Sequence, residues 1–312
     1  MKLAIVVPCY NEQEVLSDTV QKLTDLIMRL NDDGKVSAGS FILFVDDGSR
    51  DDTWKLISKY SEEHECVQGL KLAGNVGHQN ALLAGLMTVR SEVDVAISID
   101  ADLQDDISVI RAMTDKYTEG CDIVYGVRNA RKTDTFFKRF SAEGFYKFMK
   151  LMGAKSVFNH ADFRLMSSRA LEGLSQFKER NLFLRGIVPT IGYKSDCVYY
   201  ERKERTAGQS KYPISKMLAF AFDGITSFSI KPMSFIMGAG VLLIFGAIAF
   251  AIYAFHSYLT GNVVSGWTSI VLSLWLIGGL MLFSIGVVGQ YVGKIYIEVK
   301  ERPRYIIEER IQ

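Results

Sequence analysis

Short runs of apolar, often β-branched residues alternate with longer amphipathic stretches over residues 1–130. The short runs predict five strands: Leu3–Val7, Phe41–Val45, Val67–Leu72, Val95–Ile99 and Asp122–Val127. The stretches between them predict four helices: Val15–Leu30, a helix from the capping residues 51–53 through Tyr60, Gln79–Val89 and Ile107–Tyr117. Because strand and helix alternate, the pattern predicts parallel βαβ units and an α/β fold with a covered, mostly parallel sheet.

Residues 232–293 contain no Asp, Glu, Lys or Arg. Two apolar runs in this stretch, Phe235–Tyr258 and Trp267–Val288, are each long enough to cross a bilayer, although a buried hairpin of a soluble protein is the alternative. The turn between them lacks Lys and Arg, whereas basic residues flank both runs. The positive-inside rule therefore places both ends in the cytoplasm.

Residues 213–231 carry apolar side chains at helical spacing after Pro213, so we expect a helix lying in the bilayer interface. The sequence thus predicts a cytoplasmic α/β domain, an interfacial helix, a two-helix transmembrane hairpin and a cytoplasmic C-terminal tail. Their predicted bounds are residues 1–212, 213–231, 232–293 and 294–312.

Composition argues against some classes of protein. The net charge of +1 is unlike that of a nucleic-acid-binding protein. The four cysteines are scattered without a Cys-x-x-Cys pair, which favours reduced thiols in a cytosolic compartment over a zinc site or a disulfide framework. The N-terminus lacks a basic-then-apolar signal, so no cleaved targeting segment is expected.

Polar residues follow the predicted strands at the point where each strand ends. Asp100 and Asp102 come after the fourth strand, and their carboxylates suit a hard divalent cation, Mg²⁺ or Mn²⁺, that bridges nucleotide phosphates. Asp-x-Asp alone is also common in solvated turns. Parallel strands bring their carboxyl ends to one edge of the sheet, which is where α/β folds bind ligands. Polar residues at the ends of four strands along that edge therefore favour a binding site over separate solvated turns. Neither a dinucleotide-binding motif nor a P-loop is present.

These strand ends resemble those of a known family. Segments 7–12 (VPCYNE), 45–53 (VDDGSRDDT), 75–77 (NVG) and 100–105 (DADLQD) resemble the inverting family-two glycosyltransferases of the GT-A fold. The resemblance implies a Rossmann-like catalytic domain, a nucleotide-sugar donor, usually a UDP-sugar, and a divalent metal. One position departs from the pattern, because many relatives have Lys after the Asn-x-Gly turn, where this chain has His78.

The resemblance also implies roles for individual residues. The implied donor-binding residues are Pro8, Tyr10, Glu12, Asp46, Asn75, Gly77, Asp100 and Gln104. The first four would hold the uridine. Asp100 would face the ribose or the metal, and Asp102 would ligate the metal at the pyrophosphate.

The second half of the chain extends the resemblance to polyprenyl-phosphate glycosyltransferases. Segments 162–167 (DFRLMS), 179–183 (ERNLF) and 202–212 (RKERTAGQSKY) are similar to theirs, and in that group the Asp lies beside the acceptor, as Asp162 would here. The nearby stretch 136–152 is both aromatic and basic. It fits either a core helix with a solvated basic face or a helix at a membrane surface.

Basic residues close to the membrane stretch predict a site for the acceptor phosphate. Arg202, Arg205 and Lys211 would contact it, with Arg128 beside the same sheet edge. A solvated basic loop is the alternative. The C-terminal tail ends in β-branched residues, which we expect to add a strand to the sheet of a neighbouring subunit in a homo-oligomer.

The resemblance implies a bactoprenol (undecaprenyl-phosphate) glycosyltransferase, a multi-pass protein of the bacterial cell membrane. It would move a sugar, glucose first and GlcNAc second, from a UDP-sugar to the lipid phosphate with inversion. The lipid phosphate is already ionised, so Asp162 would orient it and need not deprotonate it. A processive polysaccharide synthase of the same fold is a weaker alternative, since the Gln-x-x-Arg-Trp acceptor motif is absent from the sequence. A non-catalytic scaffold or flippase subunit is the non-enzyme alternative.

Overall fold

A computed structural model describes residues 1–128, 160–180, 182–201 and 266–312, together with single positions between 233 and 260. Several predicted features lie outside the described residues: the 136–152 stretch, the interfacial helix 213–231, most of the first apolar run, and Arg202, Arg205 and Lys211. The chain divides into two compact units. The first contains the sheet and residues 302–312, and the second contains a long apolar helix.

The first unit alternates strands and helices much as the sequence predicts. Its strands are β1 Leu3–Cys9, β2 Phe41–Asp46, β3 Val67–Leu72, β4 Val95–Ser98, β5 Ile123–Arg128, β6 His160–Ser167, β7 Ser195–Tyr200 and β8 Ile307–Ile311. Its α-helices are α1 Leu16–Asp32, α2 Thr53–Glu63, α3 His78–Val89, α4 Ile110–Thr118, α5 Ser168–Ser175 and α6 Leu184–Ile187. Short 3₁₀ helices occupy Ile107–Val109 and Val188–Thr190. All five predicted strands and all four predicted helices are confirmed.

The strands form one sheet in the order β7-β5-β6-β4-β1-β2-β3-β8. The predicted strands β1 to β5 all run in one direction, and β7 runs with them. Strand β6 lies between β4 and β5 and is antiparallel to both, while β8 is antiparallel to β3. The expected α/β fold with a mostly parallel sheet is therefore confirmed. The reversed β6 presents its N-terminal end at the edge where its parallel neighbours end.

Helices cover both faces of the central strands. Leu3, Ile5 and Val7 of β1 belong to the same buried cluster as the apolar face of α1. On the other face, a Cβ at Gly85 of α3 would stand 2.4 Å from Val6 Cγ1 and 2.7 Å from Val45 Cγ2. Helix α3 therefore rests directly on the sheet, which fixes where its N-terminus reaches the carboxyl edge.

The C-terminal strand corrects one expectation. Strand β8 pairs with β3 of its own chain, with Leu70 opposite Arg310, where we expected it to pair with the sheet of a neighbouring subunit. The Arg310 guanidinium fixes this register, because it binds both carboxylate oxygens of Glu92 at 2.6 and 2.7 Å. The homo-oligomer stays a prediction.

The second unit contains one long apolar helix, α7 (Trp267–Val299). Within it, the segment Leu276–Val299 has a mean hydropathy of 1.7, and 6% of its most apolar stretch is buried. By length and composition this segment could cross a membrane. The helix continues past Val288, where the sequence pattern placed its end. Within the described part of the chain it is the one candidate span, so the predicted pair of spans is not confirmed.

Candidate active site

Hydrogen bonds between side chains and backbone join the loops that follow β1 and β2. Asn11 adopts φ 55° and accepts a hydrogen bond from the Arg50 N–H at 2.8 Å through its side-chain oxygen. Its own N–H donates to the Ser49 hydroxyl at 3.0 Å, and the Glu12 N–H donates to the Thr53 hydroxyl at 2.9 Å. The two loops therefore form one rigid wall, which carries the predicted donor residues Tyr10 and Glu12.

Pro8 and Asp46 lie at the adjacent ends of β1 and β2. Pro8 is paired with Val45, and Cys9 with Asp46. Tyr10 follows directly and is 41% exposed. The structure therefore brings Pro8, Tyr10 and Asp46 to one edge of the sheet, as the sequence predicts.

The two neighbouring acids after β2 have different roles. Asp47 accepts hydrogen bonds from the N–H groups of Val76 (2.7 Å) and Gly77 (3.0 Å), so it holds the turn before α3. Asp46 is 1% exposed, and burial raises the pKa of its carboxyl. Its Oδ1 accepts from the Ser49 N–H at 3.3 Å, but its Oδ2 has no hydrogen-bond partner among the described residues. A buried acceptor without a donor suits a ligand that brings one.

The turn at Asn75–Gly77 packs against the turn at Gly48. Gly48 has φ +67°, and a Cβ there would stand 2.7 Å from the Asn75 nitrogen, so only glycine fits. Gly77 also has positive φ and is the N-cap residue directly before α3. The exposed Asn75 thus lies over the second strand end, next to Asp46 and Asp47.

The predicted metal ligands lie in a tight loop after β4. The Leu103 N–H donates to the Asp100 carbonyl at 3.2 Å, and the Gln104 N–H donates to Asp102 Oδ1 at 3.3 Å. Gln104 is buried, so its predicted contact with the donor is not evident. Burial raises the pKa of Asp100, His78 opposes the shift, and the charges of Asp162, Asp105 and Asp102 add to it.

Asp162 is held by two arginines. Arg164, itself 2% exposed, donates from Nη2 to Asp162 Oδ1 at 2.6 Å. Arg185 binds both oxygens, with Nε 3.2 Å from Oδ1 and Nη2 2.9 Å from Oδ2. Burial alone would raise the pKa of Asp162, but the charges of Arg164 and Arg185 outweigh it and hold that pKa well below its usual range. Asp162 is therefore a carboxylate at any working pH.

His78 links the two groups of acids. Its Nε2 lies 3.5 Å from Asp100 Oδ1 and 3.8 Å from Asp162 Oδ2. The antiparallel β6 makes this possible, because Ser98 of β4 stands opposite Arg164 and its hydroxyl donates to the Asp162 carbonyl. The structure thus joins Asp100 and Asp162, which are far apart in sequence, at one site.

Arg128 lies at the same edge but has an acidic partner. Its Nε and Nη2 bind the two oxygens of the buried Asp105 at 3.0 and 3.1 Å, and Nε also approaches the Tyr200 hydroxyl at 3.4 Å. This pairing neutralises much of the charge that the sequence assigned to the acceptor phosphate. Arg128 therefore helps to shape the site beside the Asp100–Asp105 loop.

Sequence reasoning missed several residues that build the site. Arg164 and Arg185 neutralise Asp162, Asp105 binds Arg128, and Asp47 holds the turn before α3. The predicted capping group at residues 51–53 is present, because Asp51 accepts from the Thr53 N–H at 3.1 Å, although Asp52 makes no cap hydrogen bond. For Arg164 a signal existed, because it is two residues from Asp162 in a β-type alternation.

A divalent cation fits the acids after β4. The described residues contain no group of three or more side chains that could ligate a metal. Mg²⁺ commonly takes only one or two protein carboxylates and completes its shell with phosphate oxygens and water. Asp100 and Asp102 could supply that pair, and the other carboxylates near Asp100, which add to the effect of burial on its pKa, favour a bound cation there.

Comparisons with known proteins agree with this geometry. Residues 4–174 match the family described as glycosyl transferase family 2. The chain is 56% identical to the uncharacterized glycosyltransferase YkoT of Bacillus subtilis (strain 168), over 98% of this chain and 91% of that protein. It is 39% identical to the bactoprenol glucosyl transferase of Shigella phage SfV, over 100% of both chains. A homologue named prophage bactoprenol glucosyl transferase in Escherichia coli (strain K12) is 38% identical over 99% of each.

A solved structure supports the fold. The mannosyl-3-phosphoglycerate synthase of Rubrobacter xylanophilus superposes with a TM-score of 0.50 at 17% identity, covering 73% of each chain. The predicted GT-A fold is thereby confirmed. With the family match over more than half of its length, the chain belongs to glycosyl transferase family 2 and is a glycosyltransferase enzyme.

Proposed function

We propose that the protein transfers glucose from UDP-glucose to undecaprenyl phosphate with inversion at the anomeric carbon. The observation that carries this proposal is the end-to-end similarity to proteins named bactoprenol glucosyl transferase, which includes the apolar C-terminal part as well as the sheet. A lipid acceptor also explains why a family 2 domain is followed by a helix apolar enough to enter a membrane.

The chemistry needs no strong base. A phosphate oxygen of the lipid attacks C1 of the glucose, the bond from C1 to the UDP oxygen breaks, and UDP leaves with the electron pair. A phosphate monoester has its second pKa near about 6, so it is already a nucleophile at neutral pH. The enzyme then has to position the two phosphates and stabilise the leaving UDP.

The donor side of the site suits a uridine nucleotide. The unpartnered Oδ2 of Asp46 can accept a hydrogen bond from the uracil N–H, between Pro8, Tyr10 and Glu12. Asn75 and Gly77 lie over the same strand end. Asp100 and Asp102 would hold Mg²⁺ or Mn²⁺, which when bound neutralises charge on the pyrophosphate.

The acceptor side combines one anion with two cations. Asp162 and its arginines carry a net positive charge, and Arg185 is 37% exposed. Arg185 can therefore meet the lipid phosphate while Asp162 fixes its orientation. The low pKa of Asp162 supports an orienting role over a basic one. Arg202, Arg205 and Lys211 remain proposed phosphate contacts on sequence grounds.

A substrate panel tests the function directly. Full-length protein in membranes, given undecaprenyl phosphate and UDP-glucose with Mn²⁺, should form a lipid whose mass equals glucosyl phosphoryl undecaprenol. UDP-GlcNAc, UDP-galactose and GDP-mannose should give much less product. A product from UDP-GlcNAc alone would reject the sugar assignment, and no lipid product from any donor would reject the function.

Asp102→Asn should lower turnover about 100-fold or more, the scale of losing one electrostatic contact to a transition state. Asp32→Asn removes an exposed carboxylate from α1 and should leave turnover unchanged. Initial rates at saturating Mn²⁺, with circular dichroism to verify folding, make the comparison. Near-normal activity of Asp102→Asn would exclude Asp102 as a metal ligand.

Arg185→Gln should move the acid limb of the activity profile to higher pH. Wild-type Asp162 stays ionised because two arginines hold its pKa down, so removing one lets protonation begin at a higher pH. The pH profile of kcat/KM reports ionisations of the free enzyme and the free lipid, and the free lipid phosphate titrates equally in both assays, so the difference between the profiles reports Asp162. Arg169→Gln breaks a comparable pair, between Arg169 of α5 and Asp122 just before β5, at the other end of β6 from Asp162, and should not shift the profile. Identical limbs in all three proteins would contradict the role of Asp162.

We also propose that residues 232–293 form two spans and that the sheet unit faces the cytoplasm. Asn262→Cys, between the two apolar runs, should react with a membrane-impermeant maleimide in intact cells. Glu62→Cys, exposed on α2, should react only after lysis. Labelling of Glu62→Cys in intact cells would reverse the topology.

A further inference from the structure

A cavity of about 470 Å³ lies in the sheet unit, lined by residues other than those of the candidate active site. Leu83 and Met87 of α3 line one wall, residues 175–180 after α5 a second, and residues 303–305 a third. None of the cavity's lining residues belongs to the candidate active site, and Leu83 and Met87 lie about 7.5 and 13.5 Å beyond His78 along the axis of α3. The site already described therefore does not include this cavity.

The cavity is lined by cations without acids. Arg90, Lys178, Arg180 and Arg304 all contribute to its lining, which contains no Asp or Glu. Glu172, outside the lining, pairs with Arg90 at 3.2 Å. Positive charge is therefore concentrated around the cavity, which favours an anion.

Two of the arginines are fixed and act on a shared neighbour. Arg304 donates from Nη2 to the Phe177 carbonyl at 2.6 Å, which ties the third wall to the second. Burial raises the pKa of Tyr305, and the charges of Arg304 and Arg90 oppose that shift, so both cations act on the same hydroxyl. Two of the four cations, Arg90 and Arg304, therefore lie near Tyr305.

Four of the other lining residues are apolar, and the chain reaches the cavity soon after α7 ends. Leu83, Met87, Phe177 and Pro303 supply hydrocarbon surface beside the cations. Pro303 follows Val299, the last residue of α7, by four residues. A ligand with a phosphate and an apolar attachment, available at a membrane surface, matches both halves of this lining.

We propose that this cavity binds the phosphate headgroup of an anionic phospholipid. Such a lipid would contact the segment that leads to the donor site, because Ile306 follows Tyr305 and its carbonyl accepts the Ala73 N–H at 2.9 Å. Ala73 begins the segment that contains Asn75 and Gly77. Occupancy would therefore stabilise the tail against β3 and support the turn over the donor site.

Lipid titration of the full-length protein in neutral detergent tests the proposal. Phosphatidylglycerol should raise the melting temperature in a saturable way, whereas phosphatidylcholine and inorganic phosphate should not. Lys178 is exposed, so Lys178→Gln should fold normally and weaken the apparent affinity for phosphatidylglycerol roughly five- to tenfold. Lys22→Gln makes the same charge change on exposed α1 and should leave that affinity unchanged.

Native mass spectrometry should show fewer bound phosphatidylglycerol molecules on Lys178→Gln than on Lys22→Gln. Equal lipid binding by the two variants would overturn the site. A response to inorganic phosphate as large as that to phosphatidylglycerol would overturn the lipid assignment. Neither measurement involves sugar transfer, so both are independent of the proposed reaction.

Discussion

A carboxylate buried inside a sheet must be paired, and the pairing of Asp162 determines much of this structure. Its partner Arg164 is itself buried in β6, where an unpaired guanidinium would carry a large desolvation cost. The two residues lie on one face of β6, which is placed between β4 and β5 and runs against both. That reversal brings Asp162 to the edge that already holds Asp100. The same constraint also places Arg185, whose short helix α6 follows the segment that leaves β6 and α5.

The strands that were predictable are those with apolar residues on both faces. β1, β2 and β4 are buried throughout, so their sequences are nearly continuous hydrophobic runs. β6 gave no such signal, because Asp162 and Arg164 alternate in it like the exposed face of a turn or strand, although they are buried and paired. β8, with Glu308 to Arg310 between two isoleucines, has the charged pattern of an edge strand. Nothing local in it distinguishes its own sheet from that of a neighbour.

In the candidate site, local sequence indicated which residues belong there but not which partners they contact. Local sequence indicated Asp46, Asp100 and Asp102, because acids after an apolar run mark a strand end. It could not indicate that Asp47 would bind the next turn, or that Arg128 would pair with Asp105. Those contacts join residues far apart in sequence, and they depend on the order of strands in the sheet. Arg202, Arg205 and Lys211 lie outside the described residues, so their assignment to the acceptor phosphate stays a prediction from sequence.

The pairing of β8 with β3 has a consequence for biosynthesis. Residues 67–72 leave the ribosome early, yet their edge partner, residues 307–311, is made only after the whole apolar stretch has been translated. During that interval the β3 edge presents unsatisfied backbone groups to the cytosol, which invites pairing with other nascent chains. Closure of the β3 edge therefore waits until residues 307–311 have been made, and a chaperone that shields an open strand would act in this interval.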